Sequence, residues 1–383
     1  MGHAGALQCS GQSTLSSTGH GTKLQAFASS ETMHFSPSEL ERRLNFFLPE
    51  DRLAAAHADP GGNINQTWIL RLARGQRAVL QRLSPVVFPD LRALMANFRT
   101  VTAHLAACRQ RDPLIPEFPQ AYRNPAGLDA LDEADGSTWR LISYIGPSRT
   151  LMQVNARQAA AAGRMLARFH KLLLPLGRQK LADPLPGFHD TAAYLARFDA
   201  VSRGKTPASQ EEECCFAGID RLRPLAGLLE SGAHARHLVH GDPKCGNFLF
   251  AQNSDAVLSL IDLDTVRLDY VLHDLGDCLR SCCNVGGEDA ATPRFDVENF
   301  AALVQAYGAG GHELLTQDDR ALLVDGTRLL IFELGLRFFT DHLDGSRYFQ
   351  CRFPGHNLKR AVTQFKLHAA LMQDESRLRT LAI

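Results

Sequence analysis

Three absences narrow what this chain can be: an excess of one charge sign, a long apolar run and a pairing pattern among its cysteines. Lysine plus arginine and aspartate plus glutamate both total 41, so no net field draws the chain to nucleic acid or to an anionic membrane surface. No apolar stretch approaches the length needed to span a bilayer. The N-terminus has no basic segment followed by an apolar one, so no signal peptide is expected and the expected location is cytoplasmic. The nine cysteines are an odd number, two pairs are adjacent (Cys214-Cys215 and Cys282-Cys283), and C-x-x-C does not occur. That argues against a disulfide framework and for buried thiols in a reducing compartment. Cys278 and Cys282 stand one helical turn apart, without two further ligands at metal-binding spacing. A P-loop is missing as well. Gly204-Lys205-Thr206 looks like the end of one, but Asp199 occupies the position of the earlier glycine and no strand precedes it.

With 383 residues and 45% apolar content, the chain can bury a large core and is expected to form two lobes. Residues 1–33, rich in Gly, Ser, Thr and Gln, read as a disordered leader. Ser36-Pro-Ser-Glu-Leu-Glu is a helix start, with a capping serine and acids in the first turn. Asp59-Pro-Gly-Gly-Asn-Ile-Asn-Gln-Thr-Trp-Ile-Leu-Arg-Leu72 and Arg77-Ala-Val-Leu-Gln-Arg-Leu83 read as a β-hairpin with a glycine-containing loop at its entrance. The backbone N–H groups of Gly61 and Gly62 are candidates to cradle phosphates. From Phe88 to Leu105, apolar residues at 91, 94, 95, 98, 101 and 105 lie on one helical face. Thr138-Trp-Arg-Leu-Ile-Ser-Tyr-Ile is a short apolar strand closed by Gly146-Pro147, and helices are expected at roughly 153–174, 189–199 and 211–231. His170 lies on the apolar face of the first of these and reads as a core residue.

The stretch that concentrates chemistry is His237-Leu-Val-His-Gly-Asp-Pro-Lys-Cys-Gly-Asn-Phe-Leu-Phe250, followed by Val257-Leu-Ser-Leu-Ile-Asp-Leu-Asp264. Gly241 lets the backbone turn so that Asp242 projects from a loop. Asn247 follows five positions later, and a strand-like run delivers Asp262, 20 residues after Asp242. That set suits phosphoryl transfer from a metal-bound nucleotide. Asp242 would take the proton of an attacking hydroxyl, Lys244 would meet the transferring group, and Asn247 with Asp262 would hold magnesium against the phosphates of ATP.

These motifs resemble the aminoglycoside phosphotransferase and choline kinase superfamily, which shares a bilobal fold with protein kinases. Gly62-Asn-Ile-Asn-Gln-Thr, Val79-Leu-Gln-Arg-Leu with Val87-Phe-Pro-Asp, Leu94-Met-Ala-Asn, Val239-His-Gly-Asp-Pro-Lys, Ile261-Asp-Leu-Asp-Thr-Val, Asp274-Leu-Gly-Asp and Gly335-Leu-Arg-Phe-Phe-Thr-Asp-His-Leu narrow it to the bacterial N-acetylhexosamine 1-kinases. The resemblance implies an α+β, protein-kinase-like fold. A sheet-rich N-lobe (34–143) would bind nucleotide, and a larger helical C-lobe (144–383) would carry catalysis and the acceptor. It also implies ATP-dependent phosphorylation of the anomeric hydroxyl of N-acetylglucosamine or N-acetylgalactosamine, with Asp242 as base and Asn247 and Asp262 on magnesium. The expected nucleotide contacts are Gly61, Gly62, Asn63, Asn65, Thr67, Arg82 and the backbone of Ser143, Tyr144 and Ile145. Arg82 would replace the strand lysine of related kinases, with Gln81 one register away as the other choice. No acid lies between Asp90 and Asp112 to pair with that cation, and Asn97 is the available substitute. Asn63, Pro243 and Cys245-Gly246 depart from the family pattern.

On the acceptor side, Asp277 and Arg280 are candidates to brace the loop or touch substrate. Glu333, Arg337 and Asp341 recur every four residues on an otherwise apolar helix. The stripe reads as facing the cleft, with Arg337 and Asp341 on sugar hydroxyls. Competing readings are a kinase of another small hydroxyl acceptor (an amino alcohol, an aminoglycoside or another sugar) and a nucleotide-binding pseudokinase. Partners other than the small acceptor are not indicated, and oligomeric state is open.

Overall fold

The computed structural model describes residues 35–59, 64–85, 87–177 and 181–382. The expected leader, the loop residues Gly61, Gly62 and Asn63, and the phosphate-cradle role assigned to them lie outside the described residues.

Helix α1 (Pro37–Phe47) begins where the capping residues place it: the Ser36 hydroxyl accepts from the Glu39 N–H, and the Glu39 carboxylate accepts from the Ser36 N–H. Strands β1 (Leu53–Asp59), β2 (Gln66–Leu72) and β3 (Arg77–Leu83) follow, then helix α2 (Leu91–Arg111), β4 (Leu131–Asp132) and β5 (Thr138–Ser143). The strands form one antiparallel sheet in the order β1-β2-β3-β5-β4. The β2–β3 hairpin is the one its alternating pattern predicts. The alanine-rich β1, whose local preference is helical, becomes a strand because its backbone pairs along β2.

The alternation of side chains gives the sheet two different faces. Trp68, Leu70, Ala78, Leu80, Trp139 and Leu141 pack on Leu40, Leu44 and Phe47 of α1, with the two indoles stacked at 5.4 Å. Val79, Gln81 and Leu83 belong to the opposite face, where Leu83 meets Leu94 and Met95 of α2. This second face looks toward the rest of the chain.

After β5 the chain runs through β6 (Ser148–Arg149) into a mainly helical part. It comprises α3 (Ala156–Leu173), α4 (Thr191–Ser202), α5 (Gln210–Leu222), β7 (Arg236–Val239), β8 (Phe248–Ala251), β9 (Val257–Leu260), β10 (Arg267–Tyr270) and α6 (Val271–Cys282). Beyond lie β11 (Asn284–Val285), β12 (Arg294–Phe295), α7 (Val297–Gly311), α8 (Gln317–Ala321), α9 (Leu323–Leu343), α10 (His356–Gln373) and α11 (Glu375–Leu381). The helix expected over 211–231 stops at Leu222 and tightens into a 3₁₀ segment, Arg223–Gly227, because Pro224 cannot donate the next helical hydrogen bond. Helices α3 and α7 lie against each other at Gly163, where a Cβ would come within 2.5 Å of the Leu303 carbonyl. Phe169, Phe248, Phe250, Leu279, Phe300 and Ile331 form the centre of the main core. Short antiparallel pairs, β7 with β10 and β8 with β9 and β6, carry the loops of the site. The result is a mixed fold with a sheet-rich N-terminal part and a helical C-terminal part. No described helix is long and apolar enough to cross a membrane.

Candidate active site

The loop that carries Asp242 is held from beneath by a buried carboxylate. Asp274, in the first turn of α6, accepts the backbone N–H groups of His240 (2.7 Å) and Gly241 (2.8 Å). His170 bonds to the same carboxylate at 2.9 Å and to the Tyr307 hydroxyl at 2.9 Å. The core placement expected for His170 is therefore what the structure shows, and it steadies the loop through Asp274. Gly241 has φ +90°, and a Cβ there would lie 2.6 Å from the Thr265 carbonyl, so only glycine fits the turn. His240 accepts the Asp242 N–H at Nδ1 (3.2 Å) and donates from Nε2 to the Ile261 carbonyl (2.8 Å). That fixes its tautomer and ties the Asp242 loop to the end of β9.

Asp242, Lys244, Asn247 and Asp262 come together at this point. Lys244 donates to Asp242 Oδ2 at 2.5 Å, and Asn247 Nδ2 donates to the Asp242 carbonyl at 2.7 Å. The Ile261 N–H donates to the Asn247 carbonyl at 2.9 Å, which seats Asn247 beside Asp262. Asp262 itself sits in the left-handed region at φ 66°, a conformation uncommon for a non-glycine residue and often found where function demands it. Burial alone would push Asp242 upward in pKa. The Lys244 ammonium overrides burial and holds Asp242 below the usual carboxylate range, so it is ionised at neutral pH, and Lys244 is pushed upward in turn. Burial, reinforced by the charges of Asp264 and Asp242, raises Asp262 to about 6. Among the described residues the Asp262 carboxylate and Asn247 Oδ1 accept no hydrogen bond. Two unfilled oxygen donors amid crowded negative charge fit a hard divalent cation. No described cluster of three or more His, Cys, Asp or Glu side chains is arranged around a metal, so phosphate and water oxygens would complete the octahedron.

On one side of Asp242 lies the Asp277–Arg280 pair of α6. Arg280 donates to Asp277 Oδ1 from Nε (2.8 Å) and approaches it from Nη2 (2.7 Å), while Asp277 Oδ2 is buried and unpartnered. Near it is the Glu333–Arg337 stretch of α9. Glu333 is 1% exposed and accepts from His189 Nδ1 (2.8 Å) and the Thr191 hydroxyl (2.7 Å). His189 Nε2 donates to the Gly241 carbonyl at 2.8 Å, so this pair props the loop from the side opposite Asp274. Burial works against charging His189, but the Glu333 carboxylate overcomes it and raises the imidazole to about 9; Glu333 is lowered to about 2. Sequence reasoning missed His189, which stands alone in a loop. Its only local peculiarity, φ 61°, is invisible in sequence.

Arg337 lies among Phe188, Tyr194, Tyr348 and Phe349, with ring centroids 5.0–5.8 Å from its guanidinium carbon. Its closest acid is Glu333 at 3.9 Å, and among the described residues its guanidinium donates no hydrogen bond. Asp341 requires a correction. Its Oδ1 accepts the Arg347 and Tyr348 N–H groups, and its Oδ2 accepts those of Phe349 and the Asn357 side chain. It folds the 347–349 loop over Arg337 and has no oxygen left for a substrate.

The nucleotide side brings a second correction. Arg82 projects on the α1 face of the sheet, alongside Leu80 and Trp139, and pairs with Asp135 at 2.6 Å. The residue facing the cleft is Gln81, because a shift of one position reverses the face. Gln81 donates to the Thr67 hydroxyl (3.2 Å) and accepts from Arg140 Nε (2.9 Å). Asn65 donates to Asp264 at 2.8 Å and accepts the Ser84 N–H, which makes it a strut between the two parts of the fold. Asn97 bonds to the backbone of Ala182 instead of the sheet. At the end of β5, Ser143 is occupied by Gln120, whose N–H donates to Oγ and whose carbonyl accepts the Ser143 N–H. The N–H groups of Tyr144 and Ile145 have no partner among the described residues.

Residues 56–315 match the model of the phosphotransferase enzyme family, APH. The chain belongs to that family. Its fold is similar to an aminoglycoside phosphotransferase from Alicyclobacillus acidocaldarius (16% identity, 86% of this chain and 93% of that one, TM-score 0.59). It is also similar to a microcompartment-associated aminopropanol kinase (14%, 90% and 98%, TM-score 0.61). A choline/ethanolamine kinase family protein from Mesorhizobium loti gives 17%, 91% and 99%, with a TM-score of 0.56. At these identities the likeness concerns the fold alone.

Proposed function

We propose that the protein transfers the γ-phosphoryl group of ATP to the anomeric hydroxyl of an N-acetylhexosamine, N-acetylglucosamine or N-acetylgalactosamine, giving the sugar 1-phosphate. The observation that carries this reading is the pair of unfilled polar groups beside Asp242. Among the described residues, Arg337 offers a donor fork with no hydrogen bond made, and Asp277 Oδ2 is an acceptor with no partner. Both lie close enough for their charges to act on Asp242. Aromatic faces around a free guanidinium fit a ring that has apolar C–H faces and hydroxyl edges. They do not favour a polycation, because the Arg337 guanidinium repels ammonium groups.

In the reaction, Asp242 Oδ1 is the free carboxylate oxygen, since Oδ2 is held by Lys244. It accepts the proton of the acceptor hydroxyl as that oxygen bonds to the γ-phosphorus and the bond from phosphorus to the β–γ bridging oxygen breaks. Lys244, beside Asp242, would meet the negative charge of the transferring group. Asn247 and Asp262 would hold magnesium, which when bound neutralises charge on the phosphate oxygens. Positioning and charge carry this chemistry, because the phosphoryl transition state is loose. ADP release measured across N-acetylhexosamines, other sugars, amino alcohols and aminoglycosides tests the reading. Release restricted to the N-acetylhexosamines is expected. Preference for an amine-bearing acceptor overturns the acceptor assignment, and no release with any acceptor despite magnesium–ATP binding favours a pseudokinase.

A further inference from the structure

At the centre of β3 the cleft-facing residue is neutral Gln81 and Arg82 faces away, while Arg77, on the Gln81 face, is drawn to the Tyr144 hydroxyl at the strand's start. Beside Gln81 the charge comes from the next strand. Arg140 on β5 is the direct cross-strand partner of Gln81, and it is 1% exposed. Its Nη1 and Nη2 donate to the two oxygens of Asp264 at 2.6 and 2.9 Å, while Nε and Nη2 donate to Gln81 Oε1 at 2.9 and 2.7 Å. Phe98 of α2 covers the guanidinium at 4.4 Å. Asn65 adds a third donor to Asp264. Two segments therefore bond to one carboxylate, with β3 and α2 joined to it through Arg140, and that carboxylate stands two residues beyond Asp262 in the 3₁₀ turn Leu263–Thr265.

We propose that Arg140 is a positioning residue for the metal-bound nucleotide: by clamping Asp264 in bidentate fashion from β5 it fixes the turn that aims Asp262. The inference rests on the proposed kinase reading. A bidentate fork holds a carboxylate in orientation as well as distance, and an ammonium does not. A lysine at 140 would keep the charge but release the angle of the turn. Removing both charges together leaves no unpaired buried ion, so a charge-free pair is expected to fold.

The test compares wild type, Arg140→Lys, the double variant Arg140→Met/Asp264→Leu, and Arg82→Met. The readouts are the magnesium dependence of nucleotide binding by calorimetry and the melting temperature without metal. Arg140→Lys and the double variant are expected to need at least tenfold more magnesium for half-maximal nucleotide binding. The double variant should melt close to wild type, and Arg82→Met should match wild type in both readouts. A double variant with wild-type magnesium dependence shows a purely structural tie and overturns the proposal. So does Arg82→Met if it alone raises the magnesium requirement. A wild-type protein that binds no nucleotide at any magnesium concentration overturns the kinase reading and this inference together. Wild-type binding with all variants unchanged overturns the inference only.

Discussion

Replacing Glu333 by glutamine tests the charged His189–Glu333 pair that holds the Gly241 carbonyl of the Asp242 loop. In the folded protein His189 titrates near 9 instead of 6.5, and a shift of that size is worth about 3 kcal/mol of folding free energy. Because the folded-state value is raised, this contribution is fully present below about pH 6.5, declines above it, and is lost as pH rises through about 9. Both groups are almost completely buried, at 5% and 2% side-chain exposure, so solvent screening takes little from the figure. Glu333→Gln should leave His189 neutral at pH 7, with the Thr191 hydroxyl and Arg337 still beside the amide. The gap in unfolding free energy between wild type and variant, followed by urea denaturation from pH 6 to pH 10, is predicted to shrink by about 3 kcal/mol across that range. A gap that stays constant, or widens with pH, would refute the assignment of a charged His189.

Other expectations follow from single contacts. Asp242→Asn should lower turnover by roughly three orders of magnitude or more, the scale of losing a catalytic base, while calorimetry still detects nucleotide binding; near-wild-type turnover would remove Asp242 from the base role. Arg337→Met should raise the acceptor KM roughly ten- to hundredfold, equivalent to a charged hydrogen bond of about 1.5–3 kcal/mol, and leave nucleotide affinity unchanged. Asp341→Ala strips the acceptor from three loop N–H groups and Asn357. It should raise acceptor KM in steady-state assays and increase proteolysis between residues 346 and 350.

What the sequence disclosed follows from how locally each feature is determined. Asp242, Asn247 and Asp262 were legible because a glycine turn and a strand–turn–strand return bring them together over a short separation. The β2–β3 hairpin and α2 were legible through period alone. Arg82 was misplaced because the motif resembles a strand-cation position in either register, and only pairing with β5 decides which face a residue takes. Arg140 left a signal that went unused, a charge within the apolar Trp-Arg-Leu-Ile run, which implies a buried partner. Its partner, Asp264, is 124 residues away. His189 left no such signal. Asp341 shows that a four-residue repeat places side chains on one stripe without saying what each meets: Arg337 remains open, whereas the loop after the helix turns back and saturates Asp341.

The identity of the product is the most direct test of the account. Incubating the protein with ATP, magnesium and N-acetylglucosamine or N-acetylgalactosamine, then recording the ³¹P spectrum of the product, locates the new phosphate ester. The account predicts a phosphomonoester whose phosphorus couples to the anomeric proton of the sugar. A phosphate at another sugar carbon, or ester formation only with an amine-bearing acceptor, would contradict it.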